Sequence, residues 1–178
     1  PLLEQTRMVR HAFSTRLGGA SKGYFSTMNF SLTRGDNRDD VLENYRKMAR
    51  ILGTDVSKMV LSHQTHTTNI RLVTEADAGK GIWRERDYEN IDGLITNVPG
   101  LTLVTFFADC VPLYFVDPVH RAIGLSHSGW KGTVHRMGQK TIEAMGEAFG
   151  TKPEDLRVCI GPSICRDCYE VSEDVAEA

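Results

Sequence analysis

Short apolar runs separated by turn residues dominate this chain, and only two segments repeat apolar residues at helical spacing. Runs of this length favour strands, whereas the periodic segments favour helices that end at a glycine. The predicted strands are Met8–Ser14, Lys58–Ser62, Asn69–Val73, Leu94–Thr96, Leu101–Phe107, Val111–Val116, Ala122–Ser126 and Val158–Ile160. The predicted helices are Asp39–Leu52 and Val134–Phe149. The pattern predicts an α+β protein.

Two of the connections have a distinctive composition. Leu17–Gly23 is rich in glycine and is expected to form a turn. Ala76–Asn90 is polar and contains glycine, so it is expected to be a mobile loop. No repeat or linker divides the chain, which predicts one domain over residues 1–178.

The composition disfavours several classes of protein. The chain has 178 residues and is 40% apolar, which suits a sizeable core. Lys and Arg total 21 against 23 Asp and Glu, so a charge of −2 gives no electrostatic case for nucleic acid or membrane surfaces. No apolar run approaches the roughly 20 residues of a membrane span, and Pro1–Arg10 lacks a signal peptide's apolar stretch. With only four cysteines, reduced thiols in the cytoplasm are expected.

Three segments that are far apart in the chain each carry one candidate metal ligand, namely His66, Cys110 and His127. One thiolate and two neutral imidazoles suit Zn²⁺. Three protein ligands also leave a fourth tetrahedral position free, as in catalytic zinc sites, where the pKa of water falls towards about 7. Spacing alone leaves a second interpretation open, in which Cys110 packs as a small apolar residue and both histidines make ordinary hydrogen bonds.

A series of motifs in fixed order resembles one known family. The motifs are His11-Ala-Phe-Ser-Thr-Arg-Leu-Gly-Gly19, Asp36 through the helix with Asn44, Gln64-Thr-His66, Asp92-Gly-Leu94, Ala108-Asp-Cys-Val-Pro112, His127-Ser-Gly-Trp-Lys-Gly-Thr133, Ile160-Gly-Pro162 and Tyr169-Glu-Val171. Together they resemble the YfiH family, also called the polyphenol oxidase, laccase-domain or purine nucleoside phosphorylase family. The similarity covers nearly the whole chain.

The resemblance implies both a fold and an activity. The implied fold is a layered α-β-α arrangement with a mixed β-sheet. The implied enzyme is a zinc-dependent phosphorylase of adenosine, guanosine, inosine and 5′-methylthioadenosine that also deaminates adenosine. The family's metal ligands fall on His66, Cys110 and His127. Family members usually extend past the Tyr-Glu-Val segment, so part of the family's C-terminal region is expected to lie outside these 178 residues.

Two positions depart from the family's pattern. Thr67 stands where glycine commonly follows the first metal histidine, and Lys131 stands where arginine is common. Lysine cannot make a planar bidentate fork to phosphate, although it keeps the positive charge. Neither departure removes a metal ligand.

Further roles follow if the chain is such an enzyme. Asp109 and His63 are the candidates for proton transfer, with Asp109, Cys110 and His127 as the predicted catalytic set. Phosphate needs positive charge, for which Arg16 and Lys131 are the candidates. Asn29 and Gln64 are candidates for contacts to ribose, although both residue types are equally common in turns and caps. The predicted partners are therefore purine nucleosides and phosphate, and the oligomeric state stays open.

Other functions compete with this hypothesis. A polyphenol oxidase would use Cu²⁺, which can bind the same ligands, but a multicopper centre needs more imidazoles than six histidines can supply. A cysteine hydrolase or deamidase would use Cys110 as nucleophile and His127 as base. A binding module would use the metal only for stability.

A second pair of thiols, Cys165 and Cys168, has the C-x-x-C spacing. A zinc ribbon needs another such pair, and a thioredoxin-like motif needs a strand-to-helix context. Free thiols are therefore expected at both positions.

Overall fold

Two β-sheets form the centre of the structure, a computed structural model in which residues 2–177 are described. The larger sheet has the strand order β2-β3-β6-β5-β7, and the smaller pairs β1 with β4. The strands are β1 Met59–Leu61, β2 Ile70–Leu72, β3 Gly93–Thr96, β4 Thr102–Val104, β5 Val111–Asp117, β6 Ala122–Ser128 and β7 Arg157–Ile160. The β1–β4 and β2–β3 pairs are parallel and the others antiparallel, so the larger sheet is mixed.

Within the described residues, four α-helices accompany the sheets, and the two longest pack against them. The helices are α1 Arg38–Leu52, α2 Trp130–Val134, α3 Met137–Phe149 and α4 Glu173–Ala176. One apolar cluster joins α1 to β1 through Tyr45 and Met59, and another joins α3 to the larger sheet through Met145 and Phe115. Between the sheets, β1 packs against β3 in a third cluster. The predicted α+β class with mixed sheets is confirmed, with the β layer split in two.

The first helix begins and ends at the residues that its sequence signals indicate. The side chain of Asn37 accepts hydrogen bonds from the N–H groups of Asp39 and Asp40, which caps the N-terminus. Gly53 ends the helix in the left-handed region at φ +67°, where glycine has no Cβ penalty. None of the helices in the described residues is long and apolar enough to cross a membrane.

The predicted strand at Met8–Ser14 is wrong. Met8 lies in a bend and residues 9–14 have no strand assignment, because no segment among the described residues supplies a ladder of backbone hydrogen bonds. They run instead along the wall of a large cavity. Apolar content predicted an extended segment here but could not predict its lack of a partner.

The predicted helix Val134–Phe149 is two helices. Arg136 adopts the left-handed conformation at φ +58° and separates α2 from α3. The buried stripe of α3 is Met137, Thr141 and Met145, at four-residue spacing. Thr141 can be buried without a loss of hydrogen bonding, since its hydroxyl shares a 2.8 Å hydrogen bond with the Ser126 hydroxyl on β6.

The connection Ala76–Asn90 is mostly irregular, as predicted. Its Lys80 is buried, and the Nζ atom lies 2.8 Å from carboxylate oxygens of Asp77 and Asp87. Arg71 on β2 also donates to Asp77 at 2.7 Å. This ion-pair cluster ties the loop to the sheet, and its mobility stays a prediction.

A buried amide holds the glycine-rich turn against α1. Asn44 is 0% exposed, and its Oδ1 atom accepts from Ala20 N–H at 2.6 Å. Its Nδ2 atom lies within hydrogen-bond distance of Ser21 Oγ, Thr27 O and Asn29 O. The turn that follows Arg16 therefore has one central anchor.

Asn44→Ala should lower the free energy of unfolding by about 2–3 kcal/mol. The reason is that the polar groups of the turn that bond to the Asn44 amide would lose their partner inside the protein. Urea unfolding followed by circular dichroism measures this change. The same substitution at exposed Asn97 is the matched control and should cost less than about 0.5 kcal/mol. Equal small losses for both variants would contradict the anchoring role.

Candidate metal centre

Two connections and one strand bring the candidate ligands together. His66 lies in the loop between β1 and β2, Cys110 immediately precedes β5, and His127 lies near the end of β6. The antiparallel register of β5 and β6 places Pro112 opposite His127, which carries Cys110 to the same end of the sheet. One ligand atom from each of the three side chains lies within 4.8 Å of the others. These residues could therefore hold one metal ion.

The spacing of the donor atoms fits a tetrahedral metal. Cys110 Sγ lies 3.9 Å from His66 Nε2. Bonds of about 2.0–2.3 Å at a tetrahedral angle would separate a sulfur and a nitrogen ligand by roughly 3.5 Å. A shift of a few tenths of an ångström would bring this pair of donors to that separation. The two imidazole rings have centroids 5.0 Å apart and are inclined by 75°, so they approach from different directions.

Gly129 provides the space that these side chains occupy. A Cβ atom at this position would lie 2.9 Å from His66 Cδ2 and 3.0 Å from Cys110 Sγ. Such contacts are too close for any side chain, so glycine is required for close approach rather than for an unusual backbone angle. The Ser-Gly-Trp motif thus has a steric role at the centre.

A buried carboxylate organises two of the three ligands. Asp92 is 0% exposed, and its Oδ1 atom accepts from His127 Nδ1 at 2.8 Å and from the N–H of His66 at 3.1 Å. Its Oδ2 atom accepts from the N–H groups of Thr65 and Thr67 and from the Thr67 hydroxyl. His66 itself has φ +63°, a strained conformation that these bonds offset.

The hydrogen bond from Nδ1 settles the role of His127. Because Nδ1–H donates to a carboxylate, Nε2 is left free to bind a metal, an arrangement that metal-ligating histidines commonly use. Burial by itself raises the pKa of Asp92, but hydrogen bonds from His127 and from the backbone of Thr65 and Thr67 lower it to about 2. Asp92 is therefore ionised and acts only as an acceptor.

The thiol of Cys110 is not activated by its surroundings alone. Burial raises its pKa, and the carboxylates of Asp109 and Asp92 raise it further. A cysteine nucleophile that works without metal needs the opposite shift. A bound cation would instead favour the thiolate. This environment suits a metal ligand better than the nucleophile of a cysteine hydrolase.

Most of the predicted site residues border one large cavity. The cavity has a volume of about 1550 Å³, and its wall includes all three candidate ligands. Arg16, Asn29, Gln64, His63 and Asp109 also line it. This volume exceeds the roughly 300–1,000 Å³ of typical small-molecule sites, so volume alone does not select a substrate.

Lys131 does not join that group. Among the described residues it is exposed at the start of α2, where its Nζ atom lies 5.4 Å from the centroid of the Trp130 ring. It does not belong to the described lining of the cavity. Its predicted contact with phosphate therefore has no geometric support, and Arg16 is the better placed cation.

Asn29 and Gln64 use their polar atoms within the protein. Asn29 donates to Asp36 at 2.8 Å and accepts from the N–H of Ser31. Gln64 both donates to and accepts from the backbone of Phe106, at 2.6 and 2.7 Å. These bonds hold turns in place, and substrate contact at either residue stays a prediction.

Sequence reasoning missed two contributors to the site. Asp92 was quoted only as part of a motif, although an acidic residue directly before a strand was the available signal. Phe107 was placed inside a predicted strand, but β4 ends at Val104. Its ring centroid lies 5.6 Å from that of His127 and 6.0 Å from that of Phe13. No pattern in the sequence indicated this aromatic wall.

Comparison with known proteins agrees with this architecture. A family model described as multi-copper polyphenol oxidoreductase laccase matches residues 10–178. Purine nucleoside phosphorylase YlmD of Bacillus subtilis (strain 168) is 37% identical over 179 residues, covering 98% of this chain and 63% of YlmD. Adenosine deaminase RL5, from an unknown prokaryotic organism, is 34% identical over 169 residues, covering 94% of this chain and 64% of RL5.

A solved structure has the same fold. The crystal structure of the Bacillus licheniformis hypothetical protein YfiH superposes with a TM-score of 0.86 at 38% identity, covering 91% of this chain and 61% of that protein. The chain therefore spans less than two thirds of each of these relatives.

Fold and site together define a layered α+β protein with a candidate His–Cys–His metal centre. The chain belongs to the family described as multi-copper polyphenol oxidoreductase laccase, and its resemblance to the YfiH family is confirmed.

Asp92→Asn should lower metal affinity about 10–100-fold. The new amide NH₂ group would face N–H or O–H groups that now donate to the carboxylate, so His127 and the His66 loop would lose their orientation. Competition with a chromogenic chelator measures the affinity. Asp77→Asn is the matched control, since Asp77 is also a buried carboxylate but belongs to the ion-pair cluster of Lys80. Its metal affinity should be unchanged even where its stability falls. Equal affinity losses in both folded variants would refute the orienting role of Asp92.

Proposed function

We propose that the protein is a zinc-dependent purine nucleoside phosphorylase that also deaminates adenosine. Its proposed substrates are adenosine, guanosine, inosine and 5′-methylthioadenosine, which phosphorolysis converts to the free base and ribose 1-phosphate. The observation that carries the proposal is the His66, Cys110 and His127 group beside a large cavity, with His127 oriented by a buried carboxylate. The names of YlmD and RL5 support the two activities.

The donor set favours zinc as the native metal. His66, Cys110 and His127 would hold a zinc ion through two imidazoles and one thiolate, a donor set that leaves one tetrahedral position free. Copper would bind the same donors more tightly, so copper found after purification would not by itself indicate an oxidase. A multicopper centre needs several ligand groups, and residues 2–177 contain one group of three such side chains. When bound, the metal would supply Lewis-acid polarisation at the cavity wall.

The chain's own residues would hold the substrates. Phe13 and Phe107 present aromatic rings near His127, and a purine base can stack on such rings. Arg16 immediately precedes the glycine-rich turn, lines the cavity and would bind phosphate through charge-assisted hydrogen bonds. In phosphorolysis a phosphate oxygen bonds to the ribose C1′ as the bond to the base breaks, and the base leaves with a proton.

We assign proton transfer to two side chains at the cavity wall. Asp109 is an exposed carboxylate beside Cys110 at the cavity wall. His63 Nδ1 accepts from the N–H of Asn90 at 3.1 Å, which leaves the proton of the neutral ring on Nε2. His63 would therefore donate to a leaving base or ammonia, while Asp109 would accept a proton from water during deamination.

We also propose a cytoplasmic location, a single domain and small-molecule partners. The four cysteines are free in the described structure, which fits a reducing cytoplasm. Both sheets and the flanking helices share adjacent apolar clusters, which supports one domain over residues 1–178. The partners proposed for this domain are small molecules, with no nucleic acid or membrane.

Product analysis separates the proposed activities. The purified protein is incubated with each of the four nucleosides, with and without phosphate, and products are identified by mass. Ribose 1-phosphate that forms only with phosphate is the expected result, together with inosine and ammonia from adenosine. Cys110→Ser should reduce both activities at least about 100-fold, because the centre loses its thiolate. Cys159→Ser, on β7, is the matched control and should keep them.

Other outcomes would favour the competing functions. Full turnover of a metal-free preparation with a covalent adduct on Cys110 would favour a cysteine hydrolase. Oxidation of phenols that requires several coppers per chain would favour an oxidase. Unfolding on chelation, with no turnover of any nucleoside beforehand, would favour a metal-stabilised binding module.

Arg16→Ala should raise the KM for phosphate about 10–100-fold, which corresponds to the loss of one charge-assisted contact. Metal content should not change, because the Arg16 guanidinium contacts Ser26 O at 3.5 Å rather than any candidate ligand. Initial rates at varied phosphate and metal analysis measure both quantities. Arg38→Ala, an exposed arginine at the start of α1, is the control. Parallel loss of metal and phosphate saturation would show that Arg16 acts on the fold instead.

A further inference from the structure

Cys165 and Cys168 lie at the two ends of one exposed turn. Residues Arg166–Cys168 form a 3₁₀ turn in which the N–H of Cys168 donates to the carbonyl of Cys165 at 3.1 Å. Cys165 is the N-cap of this turn, with an extended backbone at φ −82° and ψ 160°. A turn of this kind separates its end Cα atoms by less than about 7 Å, and disulfides need about 4.4–6.8 Å. Both thiols are free and exposed.

The two thiols are chemically unequal. Interaction with the Cys168 side chain lowers the pKa of the Cys165 thiol. The same interaction raises the pKa of Cys168. The thiolate is the form that attacks a disulfide, so Cys165 is the better attacking group and Cys168 the better resolving group.

We propose that Cys165 and Cys168 are a reversible dithiol–disulfide site that low-molecular-weight disulfides oxidise. The Cys165 thiolate attacks glutathione disulfide, whose S–S bond breaks as one glutathione leaves and takes up a proton. Cys168 then loses its proton and attacks the Cys165 sulfur, displacing the second glutathione. Two protein thiols lose two electrons and two protons to form one disulfide, and one glutathione disulfide is reduced to two glutathione molecules.

Neither the proposed nucleoside activity nor its metal is a premise for this site. The segment that precedes it is hydrogen-bonded to both sides of Cys110, through Gly161 N–H to Pro112 O at 2.9 Å and Ile164 N–H to Asp109 O at 3.0 Å. These bonds lie before Cys165 in the chain.

Thiol mapping tests the proposal. The reduced protein is incubated with glutathione disulfide, remaining thiols are alkylated, and peptides are analysed by mass spectrometry. The expected product is one Cys165–Cys168 disulfide that dithiothreitol reverses, with Cys110 and Cys159 still alkylated. Cys159→Ser is the matched control and should give the same disulfide. Independent glutathione adducts on both thiols, no reaction at either, or a disulfide to another cysteine would overturn the proposal.

The two single variants test the order of attack. Cys168→Ser should accumulate a stable glutathione adduct on Cys165, because the resolving thiol is absent. Cys165→Ser should form its adduct on Cys168 several-fold more slowly, since less of that thiol is ionised. Both positions are exposed, and circular dichroism should match that of the unmodified protein. Equal rates in the two variants would contradict the assigned roles.

Discussion

The hydrogen bonds of one buried carboxylate determine the geometry of the candidate site. Asp92 has no contact with solvent, and five donors from two separate segments point at its oxygens. Such a group is costly to bury unless it is fully satisfied. Its location at the start of β3 therefore forces the His66 loop and His127 to converge. Thr67, a departure from the family's pattern, adds a hydroxyl donor to the same carboxylate.

The larger sheet brings Cys110, the third candidate ligand, to the site and makes the site rigid. Cys110 and His127 are adjacent because β5 and β6 pair along seven residues each, which fixes their register. α3 packs on that sheet through Met145 and Phe115. The strands that position Cys110 and His127 therefore belong to a packed layer. Gly129 then allows the two remaining side chains to meet without a Cβ between them.

Many of the helices and strands, and the candidate metal ligands, could be predicted from local signals in the sequence. Asn37 and Gly53 mark the ends of α1, and the strands from β3 to β7 were predicted to within about three residues at each end. The three candidate ligands were named from motif order. Two predictions were wrong. The strand at Met8–Ser14 needed a partner strand that the sequence could not reveal, and the continuous helix Val134–Phe149 is interrupted by the left-handed residue Arg136.

The sequence by itself determined the class of fold, the family resemblance and the identity of the donor atoms, because periodicity, capping residues and motifs are local properties of the chain. Only the tertiary structure decided that Asp92 orients His127, that Phe107 borders the cavity, and that Lys131 lies away from it. These facts depend on register and packing between segments tens of residues apart. A hydrogen bond or ring contact of this kind leaves no periodic trace in either segment.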